Sequence, residues 1–480
     1  MLACSTRLSM LRPSLRVLHR SAARGSGAQS RRLASAGHAI QSLSSRCADI
    51  TLRDDIDIFS FLKARGRWSE AAPDKVALTC LASGRSLGFR ELEGRILGAA
   101  HALRTAGFKQ GDVLNIHLHN CEHYVVSFFA VAALGGVITT SNPVYTAAEL
   151  ALQHDDSDAR WVLSSYEYRD VVEKASAAAG SRVRTVFWIE EANCWVNAPS
   201  SGEPICAERP IEPTRDLLVL PYSSGTTGRP KGVMLSHANL VNNVQQCLED
   251  ADVNIDVHGA DTVLALLPLF HIYGMTVLMM LALAQQARLL LMPKFEPLPF
   301  LSALEKHRVN VAFIVPPVAL FLAKHPAVGE HDLSALRFAF CAAAPLDAST
   351  QQDLSARLRI PVRQGWGMSE LSPIGTLAPT LSAPVAGSVG VAVPNTRLKV
   401  IDPESGADLP VGSQGELCVA GPQVMLGYLN RPDATAATMT ADGFLRTGDM
   451  VSIDTDGNVF VRDRLKELIK VKGMQVRTSP

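Results

Sequence analysis

Residues 222–232 read Y-S-S-G-T-T-G-R-P-K-G. It gathers hydroxyls (Ser223, Ser224, Thr226, Thr227), glycines (Gly225, Gly228, Gly232) and two cations, Arg229 and Lys231. Just before it, D-L-L-V-L-P (216–221) has the apolar run of a buried strand. Just after it, residues 233–235 are apolar again, and Ser236 opens a predicted helix over 237–250. A Ser/Thr/Gly/Lys loop that follows a strand suits phosphate. Glycines let backbone N–H groups converge on an anion, hydroxyls donate to its oxygens and the lysine supplies charge. A surface loop has a similar composition. A kinase-type P-loop needs G-x-x-x-x-G-K followed by Ser or Thr. Counted from Gly225, its second glycine position is Pro230, and Lys231 is followed by Gly232, so that reading fails at two positions.

The 480 residues imply about two to four domains or subdomains. With 47% hydrophobic and 19% charged residues, the chain can bury a large core. Net charge is zero but uneven. Residues 1–46 hold eight arginines, no lysine and no acid; the remainder has 38 basic against 46 acidic residues. An acidic body of this kind argues against nucleic acid as a partner. The nine cysteines are scattered, odd in number and without C-x-x-C, which predicts reduced thiols in an intracellular compartment. The longest apolar runs, such as 275–284, fall short of the roughly 18 residues a membrane span requires, so no transmembrane segment is expected. Residues 1–46 have the Arg- and Ser-rich, acid-free character of a transit peptide, with a basic amphipathic helix near 8–18. The expectation is the mitochondrial matrix, against a merely disordered basic tail; a peroxisomal or cytosolic location stays open.

From residue 54, strand and helix patterns alternate. Helices are predicted over 56–66, 89–107 and 124–134, and strands over 112–118, 135–140, 161–163, 185–189, 262–267, 288–292, 311–315 and 336–341. Such alternation predicts an α/β fold of stacked, mostly parallel sheets with helices. From 388 the texture changes to short strands and turns (390–394, 397–401, 415–419, 458–461), which predicts a β-rich subdomain over 388–462.

Four further motifs carry chemistry. Q-G-W-G-M-S-E (364–370) is read as a tight glycine turn: Trp366 to stack a purine, Ser369 to bond phosphate, Glu370 to hold Mg²⁺. A buried core tryptophan is its competing reading. T-G-D (447–449), with Arg464 fifteen residues on, offers a carboxylate and a guanidinium for two ribose hydroxyls, or a turn with a surface ion pair. L-P-L-F-H-I-Y-G (267–274) places His271 in an apolar run, where a core histidine is the plain alternative. C-A-A-A-P-L (341–346) is a small-residue segment after a strand.

S-S-G-T-T-G-x-P-K-G resembles the phosphate loop of the adenylate-forming superfamily, and the other motifs fall in that family's order. Q-G-W-G-M-S-E is similar to its Q-G-Y-G-M-T-E, and C-A-A-A-P-L to its S-G-A-A-P-L. V-P-P (315–317), M-P-K-F (292–295) and G-Y-L-N-R-P (427–432) resemble the 4-coumarate–CoA ligase branch. The resemblance implies an adenylation domain over 54–462, with a hinge and the stub of a C-terminal domain over 463–480. It implies ATP held by Ser223, Ser224, Gly225, Thr226, Thr227, Gly228, Lys231, Ala343, Gln364, Gly365, Trp366, Gly367, Ser369, Asp449 and Arg464. Mg²⁺ falls to Glu370 and Thr227. The acyl pocket comprises His271, Tyr273, Thr276, Ala342 and Ala343; the catalytic set is His271, Lys231, Glu370 and Lys470; Lys466 is the hinge. Ala342 stands where the family has Gly, and Thr276 where plant coumarate ligases tend to carry Asn.

The implied reaction activates a carboxylic acid with Mg·ATP to an acyl-adenylate and transfers the acyl group to CoA. Family members continue past K-G-x-Q-V for roughly a hundred residues, with a further lysine that contacts the α-phosphate. Here Val476 is followed by R-T-S-P, so the small C-terminal domain is expected to be almost entirely missing. Two alternatives stay beside the active ligase: a chain that binds ATP and acid but adenylates slowly, and a luciferase-like monooxygenase working on the same adenylate.

Overall fold

In the computed structural model, Ser236 does cap a helix, His237–Gln246. Its side chain accepts from the Asn239 amide while Asn239 reaches back to the Ser236 N–H, so two donors that a helix start leaves unpaired are both satisfied. The helix ends four residues before the predicted 250. The structure describes residues 43–223 and 230–465, together with the backbone of the strands Leu468–Val471 and Met474–Arg477.

Two large sheets organise the described residues. In the first, Leu217–Ser223, Val137–Thr140, Val113–His117, Trp161–Ser164 and Thr185–Trp188 lie side by side and parallel. Lys231–Ser236 and Gly427–Tyr428 extend one edge antiparallel. In the second, Val362–Gly367, Phe338–Cys341, Val311–Ile314, Thr262–Ala265, Arg288–Leu291 and Val76–Cys80 are parallel, with antiparallel strands at both edges. Near-continuous apolar strands such as Val-Ala-Phe-Ile at 311–314 are what a sheet covered on both faces demands. This is the α/β class predicted from the alternating pattern, and strand limits move by only one to three residues.

The β-rich segment folds as a five-stranded antiparallel sheet of Leu43–Ser44, Arg397–Ile401, Gln414–Ala420, Leu445–Ile453 and Val459–Arg464. Two of its limits differ from the sequence reading. Val391–Ala392 joins the second sheet through Ile374–Leu377. Leu43 and Ser44, inside the expected targeting segment, pair with Leu398 and Arg397. Edge strands of two residues have no hydrophobic period, so only the partner strand defines them. The rest of that segment, 1–42, lies outside the described residues.

The apolar run 275–284 is a buried helix: a π-helical stretch, Tyr273–Met280, continues into Leu281–Ala284. Hydrophobic on all sides, it belongs inside a core. No helix among the described residues is long and apolar enough to cross a membrane. At its start, Gly274 sits so close to the preceding loop that a Cβ there would lie 2.2 Å from the Pro268 carbonyl oxygen. Gly274→Ala must therefore displace the loop leading to His271. A loss of about 1–3 kcal/mol is expected, read as a lowered melting temperature.

Candidate active site

The strands of the hairpin that carries the 222–232 motif pair Tyr222 with Gly232 and Ser223 with Lys231. Lys231, expected in the loop, is thus the first residue of a strand. It faces Ser223 across the base of the hairpin, because the apolar residues 233–235 extend the pairing back to 231. Ser224, Gly225, Thr226, Thr227 and Gly228 lie outside the described residues, as does Lys466; Lys470 is described in its backbone alone.

The hairpin base meets Glu370. The Ser223 hydroxyl donates to Glu370 Oε1 at 3.4 Å, and the Tyr428 hydroxyl donates to the same oxygen at 2.8 Å. Lys231 Nζ lies 4.7 Å from the centre of the Tyr428 ring, within cation–π range. Burial and the neighbouring Glu370 carboxylate push the Tyr428 phenol well above its ordinary pKa, so it stays a donor. Glu370 is only 5% exposed. Among the described residues its hydrogen-bond partners are these two neutral hydroxyls, with no cation in ion-pair contact. In the sequence Tyr428 stands within G-Y-L-N-R-P, with no signal for this role. Nothing local showed that the two-residue strand Gly427–Tyr428 packs along Lys231–Ser236 and so delivers the phenol to Glu370.

Q-G-W-G-M-S-E departs from the predicted glycine turn. Residues 364–367 complete the strand Val362–Gly367, and the turn, Ser369–Leu371, comes after it. The glycines answer to packing: a Cβ at Gly365 would come 2.5 Å from Phe340 Cζ, and one at Gly367 2.1 Å from the Pro373 carbonyl oxygen. Ser369 is half-buried on that turn. Trp366, expected to offer a stacking face, is only 7% exposed. Its indole N–H donates to Asp449 Oδ2 at 2.8 Å. Arg464 Nε donates to Asp449 Oδ1 at 3.2 Å, and the two residues are cross-strand partners. The fifteen-residue spacing read from sequence is thus the span of one antiparallel hairpin.

Gln364, assigned to ATP, spends its amide on the fold. Its Nε2 donates to the Leu346 carbonyl at 3.3 Å and to Gln351 Oε1 at 3.0 Å, while its Oε1 accepts from the Leu346 N–H at 3.3 Å. This pins the 341–346 segment beside the end of the strand. Ala342 is buried and Ala343 exposed. Ala343 holds φ +74°, a left-handed conformation that costs a non-glycine residue about 1 kcal/mol or more.

His271 is open to solvent on one side and surrounded by protein on the others, and desolvation lowers its pKa. The Tyr273 N–H donates to its Nδ1 at 3.2 Å, which leaves the proton of the neutral ring on Nε2. The segment that carries it is held by the first sheet and its helix. The Asn120 amide donates to the carbonyls of Ala265 and Leu267 at 3.0 Å and accepts from the Leu269 N–H at 2.8 Å. The Tyr124 hydroxyl reaches the Leu269 carbonyl and Thr140 Oγ1 the Phe270 carbonyl. None of these three carried a sequence signal. The Tyr273 hydroxyl donates to the Phe340 carbonyl at 3.3 Å, and the two rings meet edge-on at 6.4 Å. Thr276 is fully buried, with no partner for its hydroxyl among the described residues.

His271, Ala342 and Glu370 follow the carboxyl ends of parallel strands in the second sheet, and Trp366 lies at the carboxyl end of one of them, which is where open α/β sheets bind ligands. The profile of the AMP-binding enzyme family matches residues 66–429. The chain is 38% identical over 452 residues to 4-coumarate–CoA ligase 2 of Oryza sativa subsp. japonica, covering 90% of this chain and 79% of that protein. It is 37% identical over 450 residues to a 4-coumarate–CoA ligase of Pinus taeda, covering 90% and 81%. Among solved structures, ATP-bound MatB from Rhodopseudomonas palustris superposes with a TM-score of 0.78 at 28% identity, covering 88% of this chain and 82% of that one. The chain belongs to the AMP-binding enzyme family, the adenylate-forming class that its phosphate hairpin and ribose-type Asp–Arg pair resemble.

Proposed function

We propose that this chain is an acid–thiol ligase that activates an apolar carboxylic acid with ATP and passes the acyl group to CoA. The observation behind it is the meeting of Ser223 and Tyr428 at the buried Glu370, with Lys231 over the Tyr428 ring, four residues along the chain from Trp366 and its Asp449–Arg464 partners. The acid's carboxylate attacks the α-phosphorus of ATP, and the bond to the bridging oxygen breaks to release pyrophosphate. The CoA sulfur then attacks the acyl carbon and AMP leaves. Charge develops on phosphate and carbonyl oxygens in both steps, so fixed cations and donors supply the catalysis. Lys231 and Ser223 serve the pyrophosphate end, Asp449 and Arg464 the ribose hydroxyls, and His271 Nε2–H the acid's carboxylate.

Glu370 fits a hard divalent cation: a buried carboxylate hydrogen-bonded by hydroxyls alone. No three His, Cys, Asp or Glu side chains converge as a metal site among the described residues. Mg²⁺ here would complete its shell with phosphate oxygens and water, and would neutralise the charge on them.

Buried Tyr273, Phe340 and Ala342 favour an apolar acid, and the curated relatives are coumarate ligases by name. Acid-dependent pyrophosphate exchange with 4-coumarate, cinnamate, octanoate and a short dicarboxylic acid tests this. Exchange with the first three is expected; none, or a preference for the dicarboxylate, overturns it. Trp366→Phe keeps the ring but removes the donor to Asp449, and should raise the KM for ATP about tenfold with the KM for acid unchanged. For location we propose the mitochondrial matrix, supported by the acid-free, arginine-rich 1–46. Failure of this segment to carry a reporter into isolated mitochondria overturns it.

A further inference from the structure

The helix Ala147–Ser157 lies against the first sheet, with Leu150 and Gln153 buried beneath it. Its N-terminus is satisfied by a Thr146–Glu149 capping box. Its last turn carries Asp155 and Asp156. A carboxylate there opposes the helix dipole, so the helix itself gives no reason for it. Asp156 nevertheless has three partners, all from distant parts of the chain. Its Oδ2 accepts from the Tyr222 hydroxyl at 2.8 Å, its Oδ1 from Arg431 Nη2 at 3.0 Å, and its backbone carbonyl from Asn430 Nδ2 at 3.1 Å.

Both side-chain partners flank the phosphate site. Tyr222 precedes Ser223 and pairs across the hairpin with Gly232, next to the Ser223–Lys231 pair. Its ring lies against Gly232 so closely that a Cβ there would come 3.1 Å from Tyr222 Cζ. Arg431 closes the segment that starts with Gly427–Tyr428, which pairs with Val233 and Met234; the Leu429 N–H also bonds the Gly232 carbonyl at 2.9 Å. One carboxylate therefore grips the chain on both sides of the strand that begins at Lys231. Burial first, and then the Asp156 charge, keep the Tyr222 phenol protonated and donating.

We propose that Asp156 is a positioning residue for nucleotide binding. Hydrogen-bonded to Tyr222, Asn430 and Arg431 and not to Ser223, Lys231, Tyr428 or Glu370, it fixes the spacing between the phosphate hairpin and the segment that presents Tyr428 to Glu370. Without it, the hairpin and the Tyr428 segment keep only their short backbone pairing and loosen against each other, and ATP loses its prepared cradle while the acid-binding segment around His271 keeps its own supports at Asn120, Tyr124 and Thr140. The inference rests on the ligase reading for what is bound there.

The test uses the full chain and the variants Asp156→Ala, Asp156→Asn, Tyr222→Phe and the Asp156→Ala/Tyr222→Phe double. Asp156→Ala should raise the KM for ATP about five- to tenfold and leave the KM for acid within about twofold. Asp156→Asn keeps an oxygen for Tyr222 and should recover part of the loss. The double variant should be no worse than Asp156→Ala alone, because Asp156→Ala already removes the bond that Tyr222→Phe deletes. An unchanged KM for ATP in Asp156→Ala, equal rises in both KM values, or additive losses in the double overturn the proposal. If Asp156→Ala does not fold, Asp156→Asn and Tyr222→Phe carry the same split. Absence of acid-dependent exchange in the wild type would sink the ligase reading instead. The role of Asp156 is then read separately, from the dissociation constants of ATP for wild type and variant.

Discussion

Glu370→Gln should lower acid-dependent pyrophosphate exchange by about a hundredfold or more, the scale of losing one charged group that meets the transition state. The amide oxygen of glutamine can still accept from the Tyr428 and Ser223 hydroxyls, which hold this side chain at 2.8 and 3.4 Å. The local network survives, and only the carboxylate charge that the proposed cation site needs is lost. The melting temperature should therefore stay close to that of the wild type, and the defect should appear in kcat with little change in the KM for acid. Exchange within about threefold of wild type would remove Glu370 from the cation site. Glu370→Ala is less informative, because it strands the buried Tyr428 hydroxyl as well.

Acidification should destabilise the fold well above the range where carboxylates titrate. His117, His154 and His237 are each at most 1% exposed, and burial holds their pKa values near 3, 4 and 4. The His237 Nδ1 accepts from the Ile58 N–H at 3.3 Å, so protonation there also breaks a hydrogen bond. His117 Nδ1 lies 2.8 Å from Ser141 Oγ, whose hydroxyl donates to Asn115 Oδ1, so the ring proton sits on Nδ1 and Nε2 is a bare, buried lone pair. In the unfolded chain these imidazoles titrate near 6.5. Below that pH the unfolded state binds protons that the native state refuses, so stability falls as pH drops from about 6.5 towards the folded values. At about pH 5 each histidine accounts for a loss of roughly 2 kcal/mol. Carboxylates such as Asp216, whose pKa the Arg209 guanidinium lowers, are still ionised there. Urea midpoints should fall steeply between about pH 7 and 5, and less steeply in His154→Gln. Equal midpoints at the two pH values would refute the account.

How much was legible depends on whether a signal is local. The helix cap at Ser236, the alternation of strands and helices and the Asp449–Arg464 spacing all follow from short stretches, and the structure keeps them. Trp366 and Gln364 show what a local signal leaves out. A residue's type shows what it can bind, but its neighbours decide what it does bind. Trp366 is turned to Asp449 and covered by Gly375, where a Cβ would lie 2.7 Å from the ring. Gln364 is consumed by Leu346 and Gln351.

The α/β class and the order of the motifs were legible in the chain alone, because periodicity and motif spacing are properties of contiguous sequence, whereas the nucleotide roles of their residues came from the family resemblance. It took the folded chain to bring Tyr428 to Glu370, to set Asn120 beneath the His271 segment and to join Tyr222 to Arg431 through Asp156. Those contacts span 58 to 275 residues, and a lone Tyr, Asn or Asp has no local pattern that names its partner. Folding supplies the partner by placing both sheets and their edge strands around one site, and by burying each polar group where a second can satisfy it.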